Sequence, residues 1–557
     1  MAILLTTSVY LPNPSTYHQW CAVGKVKNLP DPSKEIPDIE ALLETTFEAI
    51  RTIWTDIARR LSQQNRGAEL THIATCNTNV SDFGTMLAWS HLIERWLYKE
   101  ECFLVICDDP WAYRHFLALG VEVHSQPTGF HIPELLLFCR GYLARAKYAF
   151  SAAAAVIRLR KQKIVVKAGA PVLLVYGHPA SDAEGHDAYF GDLMCREPEA
   201  KRMLHVDCSP GRALELSGDD RTASLHAWGS IFFAFILPFV VWRPELNLTE
   251  KKYRWLVRRA RTLEGSTAQS AAIRWQIYCQ RRWVELQPPR SITWPWENHG
   301  WERSLVRLAQ ARGISLSGYQ HTVVGRRHWV HLPQSNADWK KSLPQRILCS
   351  GEVWRKMLID YGYDPAILDL AGAHRFPKAP KVTRDRSGPI FLALPFKHNL
   401  AVQMITAARC LASPDCRFLV KAHPMNPLPF EEQPWLTMTS QGLVEQRGLS
   451  VVVYAASTVG LEAMIAGIPV IRFVPSGSPS VDVIPEVFSV KASTKEFLGD
   501  SILGYCVCKY IYQRYTLIYN QNVTGLFNNP NYAGIWLTMV FPLTLAVLNL
   551  KFLKAEN

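Results

Sequence analysis

Three groups of residues in this chain have the types and the spacing to do chemistry. The first lies between Arg417 and Val474. Arg417-Phe-Leu-Val-Lys-Ala-His-Pro reads as a strand delivering Lys421, His423 and Pro424 at its C-terminal end. Ser450-Val-Val-Val-Tyr-Ala-Ala reads as a second buried strand, ending at Ser457-Thr458; a helix from Val459 then carries Glu462 one turn in. Small hydroxyl residues between a strand and a helix present backbone N–H groups and the positive end of the helix dipole to an anion. In open α/β sheets phosphates bind there, beyond the carboxyl ends of the strands. His423 can donate to phosphate oxygens and Glu462 can accept from a ribose. The plainer alternative is that Ser457 caps the helix and Glu462 is a solvated first-turn acid. Together with the strand-terminal His-Pro, the pattern favours a phosphate site.

The second group is Trp294-Pro-Trp-Glu-Asn-His-Gly-Trp-Glu, an acid and a histidine among three tryptophans. Glu297 or Glu302 can serve as a general base there, beside aromatic faces suited to a sugar ring. A Trp-rich helix start with a capping acid explains the same residues. The third is Gly318-Tyr-Gln-His-Thr, where His321 either binds a donor phosphate or assists the leaving group, or is a core or loop histidine. Asp82, Asp108, Asp109 and the loop Gly177-His-Pro-Ala-Ser-Asp-Ala-Glu-Gly also fall at predicted strand ends and can line an acceptor side, although each taken singly reads as structural. No phosphate-binding P-loop, dinucleotide fingerprint, zinc-protease helix or nucleophile elbow occurs. No metal site and no cofactor are expected.

Positioning these residues requires alternating strands and helices. Glu40 to Ser62 has helical periodicity, with Leu42, Leu43, Phe47, Ile50, Ile53 and Ile57 on one side. Thr71 to Cys76 reads as a strand, Thr85 to Tyr98 as a helix and Cys102 to Cys107 as a buried strand, an order that argues α/β with parallel strands. Leu135 to Lys163 reads as an Ala-rich helix and Pro171 to Tyr176 as another strand. The apolar run between Trp228 and Trp242 is too short, and broken by Pro238, to span a bilayer. It reads first as a buried core helix, and alternatively as a surface that touches membrane. The basic stretch Lys251 to Arg282 is a solvated helix face or a contact with an acidic membrane or a lipid-linked substrate. Strand-and-turn units follow at Arg346 to Gly351 and Ile367 to Gly372. After a polar linker from Phe376 to Gly388, a new α/β unit opens at Pro389.

Composition sets the limits. In 557 residues, 48% hydrophobic and 20% charged, there is ample material for large cores, which excludes a disordered or disulfide-dense product. Lys and Arg exceed Asp and Glu by 61 to 48, a net +13 that suits anionic partners such as phosphorylated substrates or an acidic membrane face. The basic residues are spread along the chain without a recognition motif, so nucleic acid is not expected. The 13 cysteines show no C-x-x-C pair, consistent with a reducing cytoplasm, and the N-terminus reads as a strand rather than a signal peptide.

The motifs K-A-H-P and S-T-V-G-L-E-A-M-I-A-G-I-P-V-I resemble the nucleotide-binding half of two-Rossmann-domain (GT-B) glycosyltransferases. They are similar, more narrowly, to bacterial capsule and surface-polysaccharide transferases with sialyl- and Kdo-transferase-like motifs. The resemblance is specific from about Ile347 to Phe473 and faint before that. It implies that Lys421, His423, Pro424, Ser457, Thr458 and Glu462 hold the donor, and that Glu297 and His321 do the catalysis. The related sialyltransferases carry an acidic pair followed by Gly; Glu297-Asn-His-Gly departs from it, leaving the base open between Glu297, Glu302 and another group. The implied architecture is two Rossmann-like domains facing a cleft: 1–376 with a helical insertion on the acceptor side, 377–500 for the nucleotide-sugar, and 501–557 as an apolar tail. The implied activity is metal-independent transfer from a nucleotide-sugar donor to a surface polysaccharide (O-antigen or capsule) or its lipid-linked precursor, in the cytoplasm against the inner membrane. A polyol-phosphate transferase of the same fold and a non-catalytic membrane-bound assembly protein are the alternatives. In the tail, Tyr515 to Leu550 lacks any charge and 533–550 reaches the length of a membrane-spanning helix. Thr524-Gly-Leu-Phe-Asn-Asn-Pro-Asn-Tyr resembles a segment of O-antigen ligases, either a fusion remnant or an anchor.

Overall fold

Three parallel sheets, each built from one continuous stretch of chain, organise the protein. The computed structural model describes residues 3–63, 81–99, 103–125, 129–244, 251–374, 382–480, 482, 484, 485, 488 and 490–502. The expected strand at Thr71 to Cys76, the first half of the 376–388 linker and the 533–550 segment lie outside the described residues. The chain divides into two units, Met1–Leu498 and Gly499–Asn557, and all three sheets belong to the first.

The first sheet contains β1 (Leu4–Thr6), β2 (Gln19–Val23), β3 (Phe103–Cys107) and β4 (Glu122–Val123), in the order β2-β3-β1-β4. It stands apart from the two sheets expected from sequence. The periodic stretch before it splits into α1 (Ile39–Ala49) and α2 (Arg51–Ser62), parted at Ile50. Next come α3 (Phe83–Tyr98) and α4 (Pro110–Ala118), the latter capped by Asp109, which accepts from the N–H groups of Trp111 and Ala112, with Pro110 in the first turn.

Helix α5 (His131–Leu159) leads into the second sheet. This sheet comprises β5 (Pro171–Val175), β6 (Lys201–Leu204), β7 (Thr222–Ser224), β8 (Ser291–Pro295), β9 (Ser315–Gln320), β10 (Arg346–Cys349) and β11 (Leu368–Leu370). Its order is β11-β10-β9-β8-β5-β6-β7, so the chain runs outward through β5, β6 and β7 and returns to place β8 against the other edge of β5. That is the Rossmann order with one strand added, and its switch point lies between β5 and β8. Gly318 in β9 is required by proximity: a Cβ there would sit 2.8 Å from the Trp296 side chain.

The third sheet holds β12 (Ile390–Ala393), β13 (Phe418–Lys421), β14 (Leu436–Met438), β15 (Val451–Tyr454), β16 (Val470–Phe473) and β17 (Lys491–Ser493). The order β14-β13-β12-β15-β16-β17 is again the Rossmann one, with its switch point between β12 and β15. Ile-Phe-Leu-Ala and Val-Val-Val-Tyr are buried along their whole length, as parallel strands covered on both faces must be.

Glu44 on α1 links the regions. It pairs with Arg327, beyond β9, at 3.0 Å and with Arg472 of β16 at 3.5 Å, and it accepts the Ser480 N–H at 2.9 Å. The basic stretch after the second sheet's first three strands forms α6 (Arg254–Leu263) and α7 (Ala268–Leu286).

The apolar run between Trp228 and Trp242 is not a buried core helix. It forms one turn of helix (Ile231–Ala234) and a 3-10 turn (Leu237–Phe239). Only Ala234, Leu237 and Pro238 are buried there, while Phe232 is 87% exposed and Phe239 66%. Phe235 and Phe239 lie against Phe150 and Tyr142 of the neighbouring α5, which are themselves exposed. Among the described residues no helix is long and apolar enough to cross a membrane.

Candidate functional site

The carboxyl ends of four adjacent strands, β9, β8, β5 and β6, bring the second and third sequence groups together. Beyond β8 comes Glu297; beyond β9, His321; beyond β5, Tyr176 to Pro179; beyond β6, His205 and Asp207. Helix α8 (Gly300–Gln310) starts directly after the Glu297 loop. Glu297 Oε2 lies 2.9 Å from His299 Nε2 and its other oxygen 3.8 Å from His321 Nε2. Burial alone would raise the Glu297 carboxyl, but the hydrogen bond and charge of His299, with His321 and His331, hold it down at about 2. It is therefore a carboxylate throughout the neutral range.

Glu302 has a different task. Its carboxylate accepts from Trp294 Nε1 at 2.9 Å and from the backbone N–H groups of Glu297, Asn298 and His299 at 3.1–3.2 Å. This cradle closes the loop on which Asn298 takes φ of 60° and fixes the first turn of α8. Glu302 is therefore the capping acid of α8. Burial pushes Glu302 up to about 7 against its donors. The folded state thus binds this proton more tightly than the unfolded one, so the Glu302 contribution to stability is largest below about 4.5 and falls as pH rises to 7. Glu302→Ala should cost about 3 kcal/mol in urea unfolding, because several buried N–H groups lose their acceptor. Glu302→Gln, which keeps one acceptor oxygen, should cost less and flatten the pH dependence between 4.5 and 7.

Aromatic rings wall this end of the sheet. Tyr176 lies between Tyr189 and His205 at centroid distances of 5.9 and 4.8 Å, and Tyr189 meets His321 edge-on at 4.9 Å. Trp301 packs on His205 at 5.0 Å, and His205 Nδ1 is 3.0 Å from Asp207. Next to them opens a cavity of about 370 Å³ lined by Gly177, Pro179, Asp207, Cys208, Ser209, Arg212 and Met425. Arg212 fixes its rim by donating to the carbonyls of His178, Pro179 and Ser181.

Met425 belongs to the third sheet, two residues past His423. The two His-Pro loops are built alike: the Ala180 N–H donates to His178 Nδ1 at 3.0 Å, and the Met425 N–H to His423 Nδ1 at 3.2 Å. In each, Nδ1 is the acceptor, which leaves the ring proton on Nε2, a donor suited to phosphate oxygen. Phe396, beyond β12, meets His423 edge-on at 5.5 Å, and Asn426 donates to its carbonyl. Lys421 donates to the Ser440 carbonyl.

Ser457 and Thr458 lie in the loop after β15, on the far side of β12 from the His423 strand. In register, Lys421 and Tyr454 both pair with Ala393, so their loops leave the sheet at one level. Ser457 Oγ accepts the Val459 N–H at 3.3 Å, and Thr458 Oγ1 lies 3.4 Å from Glu462. The helix that follows, α9 (Val459–Ile465), packs closely because Gly460 sits on the Tyr454 ring, 2.8 Å from where a Cβ would stand. These three residues do not line the cavity.

The first-sheet acids are structural. Asp82 and Asp109 both bind Arg259 of α6, at 2.5–2.8 Å and 2.6 Å, and Asp108 accepts from Ser8 N and Oγ and Lys27 N. Sequence reasoning did not single out Tyr176, His205, Arg212 or Met425. The repeated His-Pro at strand ends was the available signal for the two loops. Among the described residues no group of three or more metal-ligating side chains is placed to hold an ion.

Fold and site thus define an α/β protein with two Rossmann-ordered sheets whose strand-end loops share a cavity, beside a cluster of aromatic and titratable side chains. No known family model matches the chain, and no curated protein sequence is similar to it. Among solved structures it is similar to the UDP-N-acetylglucosamine 2-epimerase of Rickettsia bellii, at 13% identity over 54% of this chain and 78% of that one, with a TM-score of 0.33. It is also similar to HepE of Anabaena in complex with UDP, at 10% over 62% and 91%, TM-score 0.36. A third is the calicheamicin glycosyltransferase CalG4, at 12% over 61% and 89%, TM-score 0.35.

Proposed function

We propose that this chain is a metal-independent GT-B glycosyltransferase that moves a sugar from a nucleotide-sugar donor to a surface polysaccharide or its lipid-linked precursor, at the cytoplasmic side of the inner membrane. The observation that carries the reading is the cavity beyond the carboxyl ends of β5 and β6 of the seven-stranded sheet, with Met425 of the His423 loop as part of its wall. In this arrangement the six-stranded sheet holds the donor through Lys421, His423, Pro424, Ser457, Thr458 and Glu462. The seven-stranded sheet receives the acceptor among Tyr176, His205 and Trp301.

Glu297, ionised at about 2, is a poor proton acceptor and a good partner for an imidazolium. His299, more exposed than His321, takes the proton of the acceptor hydroxyl with Glu297 stabilising the charge. The oxygen attacks the anomeric carbon, the bond from that carbon to the phosphate oxygen breaks, and the nucleotide leaves with the electron pair. His423 Nε2–H and the loop N–H groups stabilise the charge developing on the phosphate.

The test is a thermal-shift titration of the full chain with UDP-, GDP-, CMP- and CDP-linked sugars. One nucleotide should stabilise it, and His423→Ala should weaken that binding by about tenfold without changing the ligand-free melting temperature. A folded protein that no nucleotide stabilises would overturn the reading.

A further inference from the structure

We propose that the outer face of α5, together with the exposed turns at 231–239, docks this protein onto an anionic lipid bilayer. The surface stands on exposure and charge alone; it gives the membrane association proposed above a place on the molecule and does not depend on the glycosyl-transfer chemistry. Along α5, Leu136, Leu143, Phe150 and Ile157 recur every seventh residue, and each is more than half exposed. The opposite face of the same helix is buried through Ala149, Ala152, Ala153 and Ala155. A helix that buries its alanines and exposes its large apolar side chains inverts the usual amphipathic arrangement.

The 231–239 turns extend this stripe sideways. Phe239 meets Tyr142 at 5.9 Å and Phe235 meets Phe150 at 5.9 Å, so the two elements form one continuous apolar ledge. The ledge is firmly fixed from below: buried Arg145 donates through Nε to the Pro238 carbonyl at 2.8 Å and through Nη1 to the Ser266 carbonyl. Gly229, at the entry to the turns, has no room for a Cβ, which would fall 2.4 Å from Trp275 and 2.6 Å from Val156. Contiguous exposed apolar surface on this scale marks an interaction site.

Charge chooses the occupant. Arg140 and Lys147 stand one helical turn from Leu136 and Leu143 on the same side of α5, and both are exposed. Arg243 leaves the turns at their end, exposed; burial, together with the like charges of Arg243 and Arg258, lowers the Arg261 guanidinium beside it. Helix α6 carries no acid and α5 only Glu134, which is paired with Arg114. A protein partner for such a ledge would need a matching acidic rim of its own, and a second copy would bring these cations against each other. A bilayer with acidic headgroups accepts the apolar side chains below its surface and the cations at it.

The test is co-sedimentation of the full chain with vesicles of phosphatidylcholine alone and of phosphatidylcholine with about 30% phosphatidylglycerol, a composition chosen at roughly physiological anionic content. Two variants are compared with the unmodified protein: Phe232→Ser with Phe239→Ser, which removes apolar insertion, and Arg140→Glu with Lys147→Glu and Arg243→Glu, which reverses the rim. Unmodified protein should bind the anionic vesicles at least about tenfold more tightly than the neutral ones, and each variant should lose about tenfold on the anionic vesicles. Equal binding of all three proteins would place lipid attachment elsewhere in the chain and overturn the proposal. So would equal binding to both vesicle types, or a dimer abolished by the same substitutions in the absence of lipid. The ligand-free melting temperature of each variant reports folding, and nucleotide thermal shifts on the same variants judge the donor-site reading separately.

Discussion

Glu297→Gln should lower turnover about a thousandfold while leaving nucleotide affinity and melting temperature close to those of the unmodified protein. The side chain keeps its size, but a neutral amide cannot stabilise an imidazolium on His299, 2.9 Å away, nor act on His321 at 3.8 Å. His299→Ala should fall as far. The double substitution should be scarcely worse than either single one, because the two side chains act as a unit. His321→Ala should cost less, since its separation from Glu297 is beyond hydrogen-bond range. Release of nucleotide from the donor identified by thermal shift supplies the assay. Undiminished turnover in Glu297→Gln would place the proton acceptor outside this strand-end cluster.

The largest effect on stability is expected at Arg259. Its guanidinium holds Asp82 with two hydrogen bonds and Asp109 with a third, and the Asp82 N–H donates to Glu264 at 3.2 Å. Burial would raise the Asp82 carboxyl, yet the Arg259 charge outweighs it and holds Asp82 below its ordinary range. Glu264 goes the other way, pushed well above its ordinary value by burial and by the Asp82 charge. Lys397 joins the group: burial lowers it, and Asp82 and Glu264 draw it partly back. Arg259→Met leaves two carboxylates without their fork and should cost about 3–5 kcal/mol, a fall on the order of 10 °C in melting temperature. Arg259→Lys should recover little, because one ammonium cannot serve Asp82 and Asp109 in the same planar geometry. A loss within about 0.5 kcal/mol, the range of ordinary surface substitutions, would show that the pair is solvated in solution.

Strands were the most legible part of the sequence. Short runs such as Val-Val-Val-Tyr and Ile-Phe-Leu-Ala can hardly be placed anywhere but in a covered parallel sheet, and each forms where expected. The loops after β13 and β15 were legible too, because His-Pro and Ser-Thr interrupt an apolar run abruptly. The run at 231–239 misled because composition records how apolar a segment is and not what its neighbours offer it; Phe235 and Phe239 meet Phe150 and Tyr142 of α5, which are exposed themselves. Roles set by distant partners were equally out of reach. Nothing local distinguishes Asp109 as a partner of Arg259, and Glu302 declares itself a cap only once the Glu297–His299 loop has folded back on it. The separate first sheet was hidden for a related reason: β3 pairs with β1 and β2, which lie some eighty residues or more earlier in the chain, beyond α1, α2 and α3.

That each sheet comes from one uninterrupted stretch of chain has a consequence for synthesis. Strands β1 to β4 all precede residue 124, β5 to β11 fall between Pro171 and Leu370, and β12 to β17 between Ile390 and Ser493. No sheet waits for a strand that the ribosome has yet to deliver much later, so each can close in turn as its last strand emerges. The bonds that join them, Arg259 to Asp82 and Asp109 and then Arg472 to Glu44, become available in the same order. Assembly therefore runs along the chain from the amino end, and the cavity that needs both Arg212 and Met425 waits for the six-stranded sheet, the last of the three to close.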